Sequence, residues 1–124
     1  MNFPTILIGA LYCAFAVAAG AFGAHGLAAR LDTRALELWE TASRYLMYSG
    51  LGLLAVGLLD LAWQQRALGW AGGSLALGGL IFSGTVFALA LGGPRILGAV
   101  TPIGGTLLIA GFLLVAWAAL RHAG

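Results

Sequence analysis

The sequence predicts an all-α, polytopic membrane protein with four transmembrane helices and an amphipathic interfacial segment between helices 1 and 2. Three observations predict it. With 61% hydrophobic and 8% charged residues and a mean hydropathy of +1.00, the chain has too little polar surface to cover a soluble domain, so the bilayer is its solvent. Long apolar runs are separated by short stretches of charge and turn residues. Within those runs small residues recur every fourth position, which lets neighbouring backbones approach in lipid. Residues 1–124 thus read as one transmembrane domain, with helices at about 4–26, 42–63, 66–91 and 97–120 and the amphipathic segment at about 32–44.

The run from Phe3 to Ala29 contains no Asp, Glu, Lys or Arg. At about 1.5 Å per residue it crosses a core of about 30 Å with residues to spare. It lacks the basic start of a secretory signal, so it reads as a retained span. Pro4 suits the first helical turn. Ala16, Gly20 and Ala24 form one row of small residues, and Ala19 and Gly23 another. The run ends in a glycine-rich stretch, Gly20-Ala21-Phe22-Gly23-Ala24-His25-Gly26.

From Arg30 to Arg44 polar residues fall at 30, 34, 37, 41 and 44, opposite Leu31, Ala35, Leu38, Ala42 and Tyr45. That is an amphipathic helix. Asp32 or Thr33 can cap it, Glu40 and Arg44 suit a helical ion pair, and the polar side reads either as a solvated face or as that of a helix in the headgroup layer with Trp39 as its anchor. Helix 2 follows, with or without a break; its uncharged part, Tyr45 to Leu59, is short, so charged flanks must snorkel or pair. Helix 3 pairs Gly69 with Gly73, Ser74 with Gly78, and Gly84 with Ala88, which predicts close packing on more than one side. Gly92-Gly93-Pro94-Arg95 is a turn. In helix 4, Thr101-Pro102-Ile103-Gly104-Gly105 either starts the helix or unwinds it locally, the latter being tolerated only where protein or water surrounds the backbone.

Six arginines, no lysine and no run of like charge argue against a nucleic-acid partner. Cys13 has no sequence partner for a disulfide or metal and reads as a small buried hydrophobe. With four spans, His25, Arg44, Tyr45, Tyr48, Ser49, Ser83, Thr85, Arg95 and Thr101 fall in one half of the bundle. Polar groups are expensive in hydrocarbon, so this asymmetry predicts a shared hydrogen-bonded network, a water-accessible vestibule or a headgroup contact. Gly20, Gly23, Gly69, Gly73, Gly84, Gly104 and Gly105 are the candidate helix-packing positions. No metal site or cofactor is predicted, because His25, His122 and Cys13 are too few and too dispersed. No enzyme is predicted either, since no carboxylate pair or acid orienting His25 is evident. A lone histidine at a helix end ordinarily satisfies loose carbonyls there, and a proton-relaying role is the alternative.

Phe22-Gly23-Ala24-His25, Arg44-Tyr45-Leu46-Met47-Tyr48, Phe82-Ser83-Gly84-Thr85 and Thr101-Pro102-Ile103-Gly104-Gly105, in this order along nearly the whole chain, resemble the domain-of-unknown-function 423 family, itself similar to eukaryotic transmembrane protein 256. The resemblance implies a four-helix fold in the bacterial plasma (inner) membrane and carries no activity. Where that family has a histidine after the aromatic residue opening helix 2, this chain has Ser49, so a mechanism needing two histidines is not implied. Arg30, Arg34, Arg44 and Arg95 on the motif side favour a cytoplasmic motif face, whereas the family's basic C-terminal tail implies cytoplasmic termini. Two functions remain. The preferred one is a non-enzymatic scaffold, packed through glycine faces into a homo-oligomer or onto a partner membrane protein, with membrane lipids around it. The other is permeation or binding of a small solute, proton or lipid through the polar half-bundle around His25.

Overall fold

The structure, a computed structural model, describes residues 2–124. Four helices follow in order: α1 Asn2–Phe22, extended by a π-helical turn Gly23–Leu27, α2 Thr33–Trp63, α3 Arg66–Ala90 and α4 Leu97–Ala123. All four are long and apolar enough to cross a membrane. The protein is an all-α, multi-pass membrane protein.

Two points that the sequence leaves open are resolved among the elements. The amphipathic segment is not separate from helix 2 but forms its first turns, because nothing between Thr33 and Trp63 breaks the backbone ladder. At 31 residues that helix is about 46 Å long, so its charged N-terminal third projects beyond a core of about 30 Å. Asp32 caps it, its Oδ1 accepting from the Ala35 N–H at 2.8 Å. Helix α4 is also unbroken. Pro102 sits inside it, near the helix start, where the carbonyl deprived of a donor is that of the exposed Gly98. Neighbouring hydroxyls bond back to the helix, Thr101 to the Leu97 carbonyl at 2.9 Å and Thr106 to the Pro102 carbonyl at 2.8 Å.

Tight turns set the up-down topology. Gln64 closes α2 in the left-handed region, φ 51°, with its N–H on the Asp60 carbonyl. Gly92 has φ +93°, a conformation that excludes other residues at low cost, and the Gly93 N–H returns to the Ala88 carbonyl at 2.7 Å. Each helix packs on its sequence neighbour, whereas α1 and α4 share no packing contact among the described residues. The helices therefore form an open row rather than a closed ring.

In lipid, van der Waals fit rather than water exclusion joins helices. Leu53, Val56, Leu68, Ala71, Leu75, Leu108 and Ala118 form the core of α2, α3 and α4. Ala19, Leu27, Trp39 and Ala90 form a second cluster at the other end. Glycine sets the spacing. A Cβ on Gly9 would lie 2.8 Å from the Gly50 carbonyl oxygen, and one on Gly78 would lie 2.9 Å from that of Gly104. Backbone meets backbone across α1–α2 and across α3–α4.

Candidate functional site

The residues around the first glycine-rich motif are positioned by Trp39. Rather than anchoring in the headgroup layer, Trp39 is buried, and its indole N–H donates to the Ala19 carbonyl of α1 at 2.7 Å. The ring packs edge-on against Phe87 at 4.6 Å and Phe22 at 6.4 Å. Gly23 makes room for it, since a Cβ there would meet the indole. Gly26 does the same for the Phe22 ring. The motif thus shapes a helix joint. The π-helical turn widens the helix at this point, and such turns often mark functional positions.

The predicted polar residues share one half of the bundle, and their side-chain hydrogen bonds do not join them into one network, the first of the three arrangements their asymmetry predicts. Ser83 donates to the Ala42 carbonyl at 2.8 Å, and Ser49, fully buried, donates to the Leu75 carbonyl at 2.6 Å. Each hydroxyl therefore ties α3 to α2 independently. Thr85 and Thr101 share a hydrogen bond of 2.6 Å between α3 and α4. Tyr45 packs its ring on Tyr48 at 5.2 Å and on Phe82 at 4.6 Å. His25, Arg44 and Arg95 are exposed and take part in none of the side-chain hydrogen bonds among the described residues. The Leu27 carbonyl is met by the N–H groups of Arg30 and Leu31, not by His25. Hydroxyls satisfied by carbonyls knit helices together.

The glycine positions divide. Gly23 and Gly104 are closely covered, Gly104 by the backbone of Phe82 and Gly78, while Gly105 is in ordinary contact with the Phe82 ring. At Gly20, Gly69, Gly73 and Gly84 an added Cβ would meet nothing within 4 Å. These four do not pack helices within one chain, because their rows face away from the neighbouring helices.

This arrangement can now be set beside known proteins. Residues 19–105 match the family described as "Protein of unknown function (DUF423)". The chain belongs to the DUF423 family. Curated relatives are UPF0382 membrane proteins of staphylococci. One from Staphylococcus epidermidis is 48% identical over 119 residues, covering 96% of this chain and 97% of the relative. One from Staphylococcus saprophyticus is 47% identical over 110 residues, 89% and 91% of the two chains. One from Staphylococcus aureus is 40% identical over 119 residues, 96% and 97%. No solved structure matches significantly. In this DUF423 chain the family match begins at Ala19, the acceptor for Trp39, and ends at Gly105, so it spans both motif-bearing joints.

Two contributors escaped sequence reading. The Tyr12 hydroxyl donates to the Ala76 carbonyl at 2.7 Å, joining α1 to α3 across α2, and Gln65 donates to the Ala118 carbonyl at 2.8 Å, joining the α2–α3 turn to α4. A tyrosine near the middle of a span was the available signal for the first, because a phenol in hydrocarbon needs a partner. Nothing local marks the second.

Proposed function

We propose that this chain is a non-enzymatic packing module of the bacterial plasma membrane that works as a homodimer, joined through the outer face of α3. The observation behind this reading is that face itself. Gly69, Gly73, Leu77, Leu80 and Gly84 lie at helical spacing, all are exposed, and the three glycines have no neighbour where a Cβ would be. A helix interior loses roughly 0.8–1.0 kcal/mol per glycine relative to alanine. On a surface left to lipid nothing offsets that loss, whereas close approach of a second backbone does. A second copy is the occupant because a two-fold axis along α3 lets the same row serve both partners. Beside it runs a groove of about 350 Å³ between α1 and α3, lined by Leu11, Phe15, Leu80 and Gly84, into which large side chains of the other copy fit. The non-enzymatic part rests on the buried Ser49 and Ser83, whose hydroxyls bond to backbone carbonyls. The plasma-membrane placement rests on helical spans and on bacterial relatives.

Disulfide trapping tests the interface in native membranes. In a Cys13→Ser background, Gly73→Cys is expected to give an oxidised dimer, and Leu58→Cys, exposed on α2, is not. Equal trapping at both positions, or none at Gly73→Cys, would overturn the α3 interface.

A further inference from the structure

A recess with polar walls lies at the end of the molecule away from the sequence motifs. It is a cleft of about 760 Å³ between the α2–α3 turn, the first turns of α3 and the last turns of α4. Its walls include Arg66, Trp70, Trp117, Arg121 and His122 and, among the described residues, no carboxylate side chain. The nearest acid by position in the fold, Asp60, lines a neighbouring cleft of about 480 Å³ that shares the Arg66 wall.

Two of these side chains lie against tryptophan rings. His122 stacks on Trp63, ring centroids 4.7 Å apart and planes 16° from parallel. The Arg121 guanidinium lies 5.9 Å from the centre of the Trp117 ring. Gln65 fixes the floor through its bond to the Ala118 carbonyl. Helix α3 begins at this cleft with no side-chain cap and no acid in its first turn, so its positive end adds to Arg66. Arginine offers the planar fork that matches phosphate oxygens, and tryptophans at the end of a span belong at headgroup depth.

We infer that this cleft binds the phosphate of an anionic phospholipid headgroup, gripped by Arg66 and Arg121 with His122 beside them. Arg121 and His122 also suit the negative end of α4, but that role alone places neither Arg66 nor the uncapped start of α3 opposite them. The site adjoins the end of the α3 dimer face, since Arg66 and Trp70 share the helical row of Gly73 and Leu77, and its test reads lipid binding rather than assembly.

Tryptophan fluorescence of the detergent-solubilised protein tests it. Titration with dioctanoyl phosphatidylglycerol should saturate, and the same titration with dioctanoyl phosphatidylcholine should be at least several-fold weaker. The double variant Arg66→Gln/Arg121→Gln is expected to lose roughly tenfold or more in phosphatidylglycerol affinity, given the attraction of each arginine for an anionic lipid. The double variant Arg44→Gln/Arg95→Gln, exposed at the opposite end, should bind as the unaltered chain does. Equal affinity for the two lipids would overturn the inference, and so would unaltered binding by a helical Arg66→Gln/Arg121→Gln chain. Should that variant lose its helicity, the comparison of the two lipids on the unaltered protein decides alone. Inorganic phosphate that displaces the lipid at equal concentration would overturn the lipid assignment in favour of a free-phosphate site.

Discussion

Rarity in the sequence and weight in the structure are different properties at the scale of single residues. His25 stands out because it is the only histidine within the apolar body of the chain, yet it is exposed and unbonded. Trp39 sits among acids and arginines, a context that reads as interfacial, and is instead the buried joint between α1 and α2. Composition around a residue says how polar its helix face is; it does not say that a carbonyl of another helix lies within reach. Trp39→Phe keeps the ring contacts and removes one buried hydrogen bond, so it should cost about 1 kcal/mol. Trp39→Ala, which also empties the space beside Gly23, should cost about 3–5 kcal/mol. His25→Ala should stay within about 0.5 kcal/mol of the unaltered protein. Unfolding in mixed micelles ranks the three, and a His25→Ala loss equal to that of Trp39→Ala would contradict this assignment.

Spacing of small residues made the helices and their closeness legible at the scale of elements, but not the direction each row faces. Helix α3 carries two such rows. Gly78 and Gly79 are buried against α4 and against Ser49 of α2, while Gly69, Gly73 and Gly84 are open. The Ser74–Gly78 pair and the Gly69–Gly73 pair both obey the four-residue rule, and only tertiary placement separates them. Gly104→Ala forces a methyl against the Phe82 backbone and the Gly78 carbonyl, atoms that cannot rotate aside, so it should destabilise the fold by about 1–3 kcal/mol. Gly73→Ala has free space and should leave the stability of one chain unchanged or slightly raised. The reverse order in a thermal unfolding series would place the α3–α4 contact wrongly. The same limit explains α2: amphipathic periodicity found its first turns, but no residue signals whether they run on into the span, as they do.

The membrane class and four-span topology were readable at the scale of the whole molecule because hydropathy and length act along the chain, without knowledge of partners. The open row was not readable, since whether α1 closes on α4 depends on crossing geometry that no local pattern encodes. Helix α3, packed on α2 and α4, keeps an exposed glycine face, and assembly through it belongs to this scale. Native mass spectrometry of the protein released from lipid nanodiscs tests it most directly. The unaltered chain should appear as a dimer, and Gly69→Leu/Gly73→Leu, with helicity retained, as a monomer. A monomer from the unaltered chain, or a dimer that persists in the double variant, would contradict the account.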